Sequence, residues 1–215
     1  MTTYADMALQ MSAYAPGCPS SVISNVARRI IIDLCARGAV WREYGAATTL
    51  VPATHTYTLT PTSAQSEIIA VHSASTTVSG VKHPIYFRTL DRLQSAYPSW
   101  PGNAAGDAAL FTKTAIDTIA LAPVPDTAGT LTPYVGLQPT SASTEWPTAM
   151  YNAHQRVIFH GVLHDLMMMP GRAWADLKAA TYHGRQWTYL LDSAKARAEH
   201  GFNPSDVQVQ MRPMA

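Results

Sequence analysis

Charged side chains are scarce in this sequence. Asp, Glu, Lys and Arg make up 13% of its 215 residues, whereas a typical soluble domain has about 25%. The formal net charge of +1 is too small to predict a nucleic-acid-binding surface. A surface with so few charges tends to aggregate if it is left exposed. The low charge content therefore favours a protein whose neighbouring subunits bury much of this surface. A β-rich segment that dilutes the charge count is the alternative explanation, and composition alone does not separate the two.

Long apolar runs and cysteines are scarce as well. No run of about eighteen apolar residues occurs, so no transmembrane span is expected. The segment from Met1 to Met11 contains Asp6 and lacks the basic region of a signal peptide, which predicts a protein made in the cytoplasm. Cys18 and Cys35 are the only cysteines. On a helix they would lie about 25 Å apart, beyond the roughly 7 Å limit for a disulfide, so both are expected to be free thiols.

Sequence motifs of enzymes are missing. The 12 glycines are dispersed, and no phosphate-binding loop, nucleophile elbow, paired zinc-ligand cysteine motif or EF-hand loop occurs. His160 and His164 are the best metal-ligand candidates, because their spacing places both on one helix face. Gly, Val and Leu stand between them, where a metalloprotease helix carries a glutamate. His154, Asp165 and His183 could complete a metal site only if the two long helices described next brought them together. We therefore predict no catalytic residue, metal or cofactor.

Two long helices are predicted near the end of the sequence, from Pro147 to Met169 and from Arg172 to His200, with a joint at Pro170 and Gly171. The second helix has a heptad stripe of mostly small residues, which includes Ala180, Gly184, Ala194 and Ala198. It would span roughly 40 Å, longer than the core of a chain of this size requires. We expect these four residues at close helix contacts, either within the bundle or between subunits.

A third amphipathic helix is predicted from Ser20 to Gly38, since helix-starting residues precede its apolar stripe and a glycine ends it. Between Trp41 and Trp146 the sequence is rich in threonine and other β-branched residues, which alternate with other side chains as in strands. Strands are predicted at Glu67 to His72, Leu110 to Thr114, Ile116 to Leu121 and Leu131 to Leu137. The expected fold class is α+β. Residues 1–42 and 146–200 form a helical bundle, residues 43–145 are an inserted antiparallel β domain, and residues 201–215 are an extended tail.

Two segments are predicted to contact partners. The loop from Tyr97 to Gly106 collects prolines and glycines around Trp100, a large apolar ring that an isolated subunit has little reason to present, so Trp100 is a candidate subunit-interface residue. In the tail, Val207, Val209 and Met211 alternate with glutamines, which suits an extended strand with one apolar edge. A disordered tail is the alternative, because chain ends often fray.

Several strings, in their order and spacing, resemble the head-to-tail adaptor, or connector, proteins of tailed bacteriophages. They are Tyr57-Thr58-Leu59, Ile119 to Asp126, Trp146-Pro147, His160 to Leu166 and Pro170 to Trp174. The resemblance covers nearly the whole chain from Ser20 to Phe202. Stopper and tail-completion proteins of the phage neck share this order of elements, so they stay open as alternatives.

The resemblance implies a non-enzymatic ring, dodecameric, in the virion neck. The ring would bind the portal protein on one side and a tail or nozzle protein on the other, while DNA passes through its lumen without specific binding. Val207, Val209 and Met211 would then be portal-docking residues. Two other classes are kept as alternatives: a metal-dependent hydrolase that uses His160 and His164, and a glycan-binding phage module built on the Thr-rich β block.

Overall fold

The computed structural model describes residues 1–102 and 105–200. By its internal contacts the chain divides into two compact units. The first, here called the helical unit, combines Met1–Val40 with Ser143–Ala215, of which residues up to His200 are described. The second, here called the sheet unit, is Trp41–Ala142.

The described residues form five helices and ten strands. The helices are α1 (Tyr4–Met11), α2 (Ser20–Gly38), α3 (Leu90–Ala96), α4 (Thr148–Met167) and α5 (Leu177–Glu199). The strands are β1 (Thr2–Thr3), β2 (Arg42–Tyr44), β3 (Thr48–Leu50), β4 (Thr56–Thr58), β5 (Ser66–Val78), β6 (Val81–Phe87), β7 (Leu110–Lys113), β8 (Thr118–Ala122), β9 (Gly129–Pro139) and β10 (Glu145–Trp146). A 3₁₀ turn at Ser12–Tyr14 follows α1.

Side-chain caps set where α1 and α5 of the helical unit begin. The Thr3 hydroxyl accepts a hydrogen bond from the Asp6 N–H, and the Asp6 carboxylate accepts one from the Thr3 N–H, which together close a capping box on α1. The Asp176 carboxylate accepts from the N–H groups of Lys178 and Ala179, both at 3.0 Å. The second long helix therefore begins at Leu177, five residues after the predicted start, because its first good N-cap is Asp176.

Helix α2 has the predicted bounds and packs against both α4 and α5. The closest approach is at Gly161 of α4. A Cβ atom there would lie 2.7 Å from Cγ2 of Ile30 in α2 and 2.7 Å from Cε3 of Trp187 in α5. Ile30 and Trp187 are 6% exposed, so neither has free space to move into. Only glycine allows the three helices to meet at this point.

The sheet unit is organised around two long strands. The eight strands run in the order β2-β9-β5-β6-β7-β8-β4, with β3 also paired to β9. β5 and β9 pair antiparallel from Ser66 with Pro139 to Thr77 with Thr130. A two-residue turn joins β5 to β6, and its residues Ser79 and Gly80 both have positive φ, as in the tight turns that match sheet twist. β6 and β7 pair parallel.

The expected fold class is wrong. The chain is a mixed α/β protein with one large curled sheet of eight strands and five helices among its described residues, not a helical bundle with an inserted antiparallel domain. The sheet unit has its own apolar core, which includes Leu50, Ile68, Phe111, Leu121, Leu131, Val135 and Leu137. The parallel β6–β7 pair also breaks the antiparallel pattern. Sheet hydrogen bonding therefore organises as much of the chain as helix packing does.

We predict that Gly161→Ala destabilises the protein by about 1–3 kcal/mol, because the new methyl group overpacks the contact with Ile30 and Trp187. Helix propensity alone would make this change favourable by about 1 kcal/mol. Urea unfolding of the wild type, Gly161→Ala and Ala153→Gly measures the effect. Ala153 is exposed on the same helix, and its replacement calibrates propensity on α4. A more stable Gly161→Ala protein would show that the three helices do not meet as described.

Candidate functional site

The histidines of α4 and α5 are brought together only in part. His160 Nδ1 lies 2.8 Å from His183 Nδ1, so one ring donates its N–H to the other. His164 Nδ1 is 2.9 Å from the carbonyl oxygen of Ala180 and is satisfied by the backbone. Asp165 forms an ion pair with Arg29 at 2.6 Å. Within the part of the chain that the structure describes, no three His, Cys, Asp or Glu side chains are grouped as a metal site.

Burial controls the protonation of these histidines. It lowers the pKa of His160, and the neighbouring His183 and Arg156 lower it further. Burial also lowers the pKa of His183, with His164 acting in the same direction. The pKa of His154, which is only 5% exposed, is lowered first by burial and then by Arg197. These rings are therefore held neutral near neutral pH.

The small-residue stripe of α5 packs against other elements of the same chain. Ala180, Ala194 and Ala198 are at most 1% exposed. At Gly184 a Cβ atom would lie 2.8 Å from His164 Nδ1, so the absence of a side chain lets α5 approach α4. The stripe was predicted to make close contacts either within the helical bundle or between subunits, and the structure shows close contacts of the first kind.

Trp100 lies in the sheet unit and is half-buried. Its indole N–H donates a 2.8 Å hydrogen bond to the carbonyl oxygen of Leu121, and its ring meets that of His55 edge to face. These contacts fix the ring direction while leaving part of it accessible. The candidate portal-docking residues Val207, Val209 and Met211, like the whole predicted tail of residues 201–215, lie outside the described residues.

A surface of contiguous rings was missed by sequence reasoning. Phe159 of α4 packs edge to face on Tyr14, His160 and His183, and Tyr182 of α5 meets both histidines. We call these five residues the aromatic face. Tyr14 and Tyr182 are 56% and 57% exposed, so the rings meet at the surface and not in the core. Exposed aromatic rings of this kind are typical of interaction surfaces.

Two recesses open along the aromatic face. One of about 240 Å³ is lined by Gln10, Met11, Tyr14, Tyr151, Gln155 and Phe159. The other, of about 300 Å³, is lined by Gln155, Arg156, Phe159 and His160. They share Gln155 and Phe159, so they form one groove along the outward side of α4. The signal in the sequence was the i, i+4 series Tyr151, Gln155 and Phe159, which joins both recesses.

The described residues contain no helix that is both long and apolar enough to cross a membrane. Comparison with known families gives one finding that covers nearly the whole chain. A family model described as SU10 adaptor protein matches residues 2–210. No curated protein matches the chain.

We predict that acid destabilises this protein through its buried and half-buried histidines. Folding lowers the pKa values of His154, His160 and His183 below the unfolded value of ~6.5, so the unfolded chain binds more protons in acid. The stability from these groups is complete above the unfolded pKa and is lost as the pH falls through the window below it. His72 of the sheet unit is shifted in the same direction, again mainly by burial.

Urea midpoints measured from about pH 8 to about pH 5 test this expectation. His154→Leu should flatten the pH dependence, because it removes one buried histidine whose Nε2 has no hydrogen-bond partner in the described part of the chain. His83→Leu is the matched control, since His83 is exposed. The account fails if both variants keep the wild-type pH dependence.

Proposed function

Because this chain belongs to the SU10 adaptor protein family of bacteriophage structural proteins, we propose that it forms a ring in the neck of the virion, between the portal protein and a tail or nozzle protein. The match over residues 2–210 carries this proposal. The family is structural, which supports a non-enzymatic role. The proposed ring is dodecameric, and DNA passes through its lumen without specific binding.

The surface of the chain supports assembly. Several large apolar side chains are more than two-thirds exposed, among them Leu9, Ile116, Leu177 and Tyr189. With only 13% charged residues, such a surface gains from burial against neighbouring subunits. A ring needs two different surfaces on each subunit, because head-to-tail contacts repeat around a closed circle. Ala180, Ala194 and Ala198 of the α5 stripe are buried within the chain, whereas Gly184 and Trp100 are half-buried and remain candidates for a contact between subunits.

Native mass spectrometry tests the ring. We expect a species at a whole-number multiple of the 23.3 kDa chain mass, either alone or after mixing with portal protein. Trp100→Ala should reduce its amount, and Tyr97→Ala, in the same loop, is the control. A strictly monomeric protein in both conditions would contradict the proposal.

Portal attachment is proposed to depend on the segment with alternating apolar residues. Val207, Val209 and Met211 would fill pockets between portal subunits while the main chain pairs with an exposed strand edge. We predict that deletion of residues 203–215 leaves the helical circular dichroism signal intact and abolishes capture by purified portal protein.

Matched substitutions show whether portal binding depends on the apolar side chains of this segment or only on its length. Serine at positions 207, 209 and 211 should lose portal binding, whereas serine at the alternating residues Gln208 and Gln210 should keep it. Full binding by the deletion variant would refute the docking role. Binding that requires a preformed adaptor ring of another protein would place the chain as a stopper or tail-completion protein.

A further inference from the structure

The groove along the aromatic face has at its rim a cation, Arg156, that no described residue pairs with. Arg156 is exposed beside Phe159 and His160. Among the described residues, the ion pairs are Arg29–Asp165, Arg37–Asp33 and Lys195–Glu199, so no described carboxylate pairs with Arg156. An apolar groove with a free cation at one end favours an occupant with apolar side chains next to one carboxylate.

We propose that the segment from Pro204 to Met211 of the same chain occupies this groove before the protein meets the portal. The segment has the required chemistry, since Asp206 precedes the alternating apolar residues Val207, Val209 and Met211. Asp206 pairs with Arg156, and the apolar side chains cover Phe159 and fill the two recesses. The groove and the portal then compete for the same residues, a regulatory step that rests on the proposed function.

The length of the chain allows this contact. The described structure ends at His200, at the end of α5. Along α5, the distance back to His183 is about 25 Å at 1.5 Å per residue. Residues 201–215 can span at most about 50 Å when extended. Val209 and Met211, nine and eleven residues beyond His200, can extend about 30 Å and about 36 Å, so they reach the level of His183 on the aromatic face of their own subunit.

The side chains of the groove are already in place for an occupant. Phe159 is held by edge-to-face contacts with both Tyr14 and His183, so its side chain loses little freedom on binding. Tyr151 donates a 2.6 Å hydrogen bond to Gln10, which fixes the floor of the first recess. A preformed surface of this kind binds a short segment at low entropic cost.

Hydrogen exchange of the full-length protein tests the proposal. Amides of residues 205–211 should exchange about tenfold faster in Phe159→Ser than in the wild type, which corresponds to a loss of ~1.4 kcal/mol of contact. Tyr189→Ser is the control, because Tyr189 is 70% exposed on α5 and does not line the groove. Thermal melting shows whether each variant is folded. Equal exchange in the wild type and Phe159→Ser would overturn the proposal.

A charge swap provides a second and independent test. Arg156→Glu should speed exchange of the segment, and adding Asp206→Arg should restore protection, since the pair is then re-formed with reversed signs. No restoration would contradict the assigned pairing. Protection that grows with protein concentration would show that the segment occupies the groove of another copy, which would also overturn the same-chain assignment.

Portal binding separates this inference from the proposed function. If the groove competes with the portal, Phe159→Ser should bind purified portal protein more tightly than the wild type does. Unchanged portal affinity would overturn the competition. A wild-type protein that shows the protection but never binds portal would leave the groove contact standing and refute the proposed function alone.

Discussion

Helix α4 can approach α2 and α5 only because residue 161 is a glycine. Any side chain there would lie 2.7 Å from both Ile30 and Trp187, closer than packed carbon atoms allow. This one contact sets the position of α4 along α5. From it follow the 2.8 Å contact between His160 and His183 and the close approach of Gly184 to His164. It also fixes which side of α4 faces outward, and thereby where Phe159 lies.

The helical unit therefore separates two kinds of helix face. Small residues of α5 pack inside the chain, and burial lowers the pKa values of the half-buried histidines beside them. The outward side of α4 instead carries aromatic rings and, at the surface, Arg156, which has no ion-pair partner among the described residues. For a phage adaptor, this division is useful, because the subunit keeps its own fold while an apolar groove stays available for a binding segment.

Local signals in the sequence predicted some elements well and others poorly. The bounds of α2 were predictable because Pro19 and Gly38 flank one apolar stripe. The start of α5 was not, because the capping power of Asp176 is visible only once residues 172–175 are seen to stay outside the helix. β5 runs without a break from Ser66 to Val78, longer than the predicted strand, since its partner β9 supports it along its length. Pairing between distant strands is a tertiary effect, which explains the wrong fold class.

The candidate site, too, could be predicted from the sequence only where its residues are close together along the chain. Separate strings were enough to suggest the adaptor family, which the family match confirms, and the i, i+4 histidines were recognised as neighbours. The aromatic face was missed because Tyr14 and Phe159 are distant in sequence and meet only when the 3₁₀ turn after α1 packs on α4. Ala180, Ala194 and Ala198 of the α5 stripe are buried within the chain, and a contact between subunits through this stripe stays a prediction.

The central claim is that this protein is a stoichiometric part of the portal vertex. Quantitative mass spectrometry of purified, salt-washed virions tests it most directly, with the portal protein as internal reference. The account predicts that the chain is present in a fixed molar ratio to the portal protein, equal to one if both rings are dodecameric. Its absence from infectious virions, or a ratio that falls with each wash, would contradict the account.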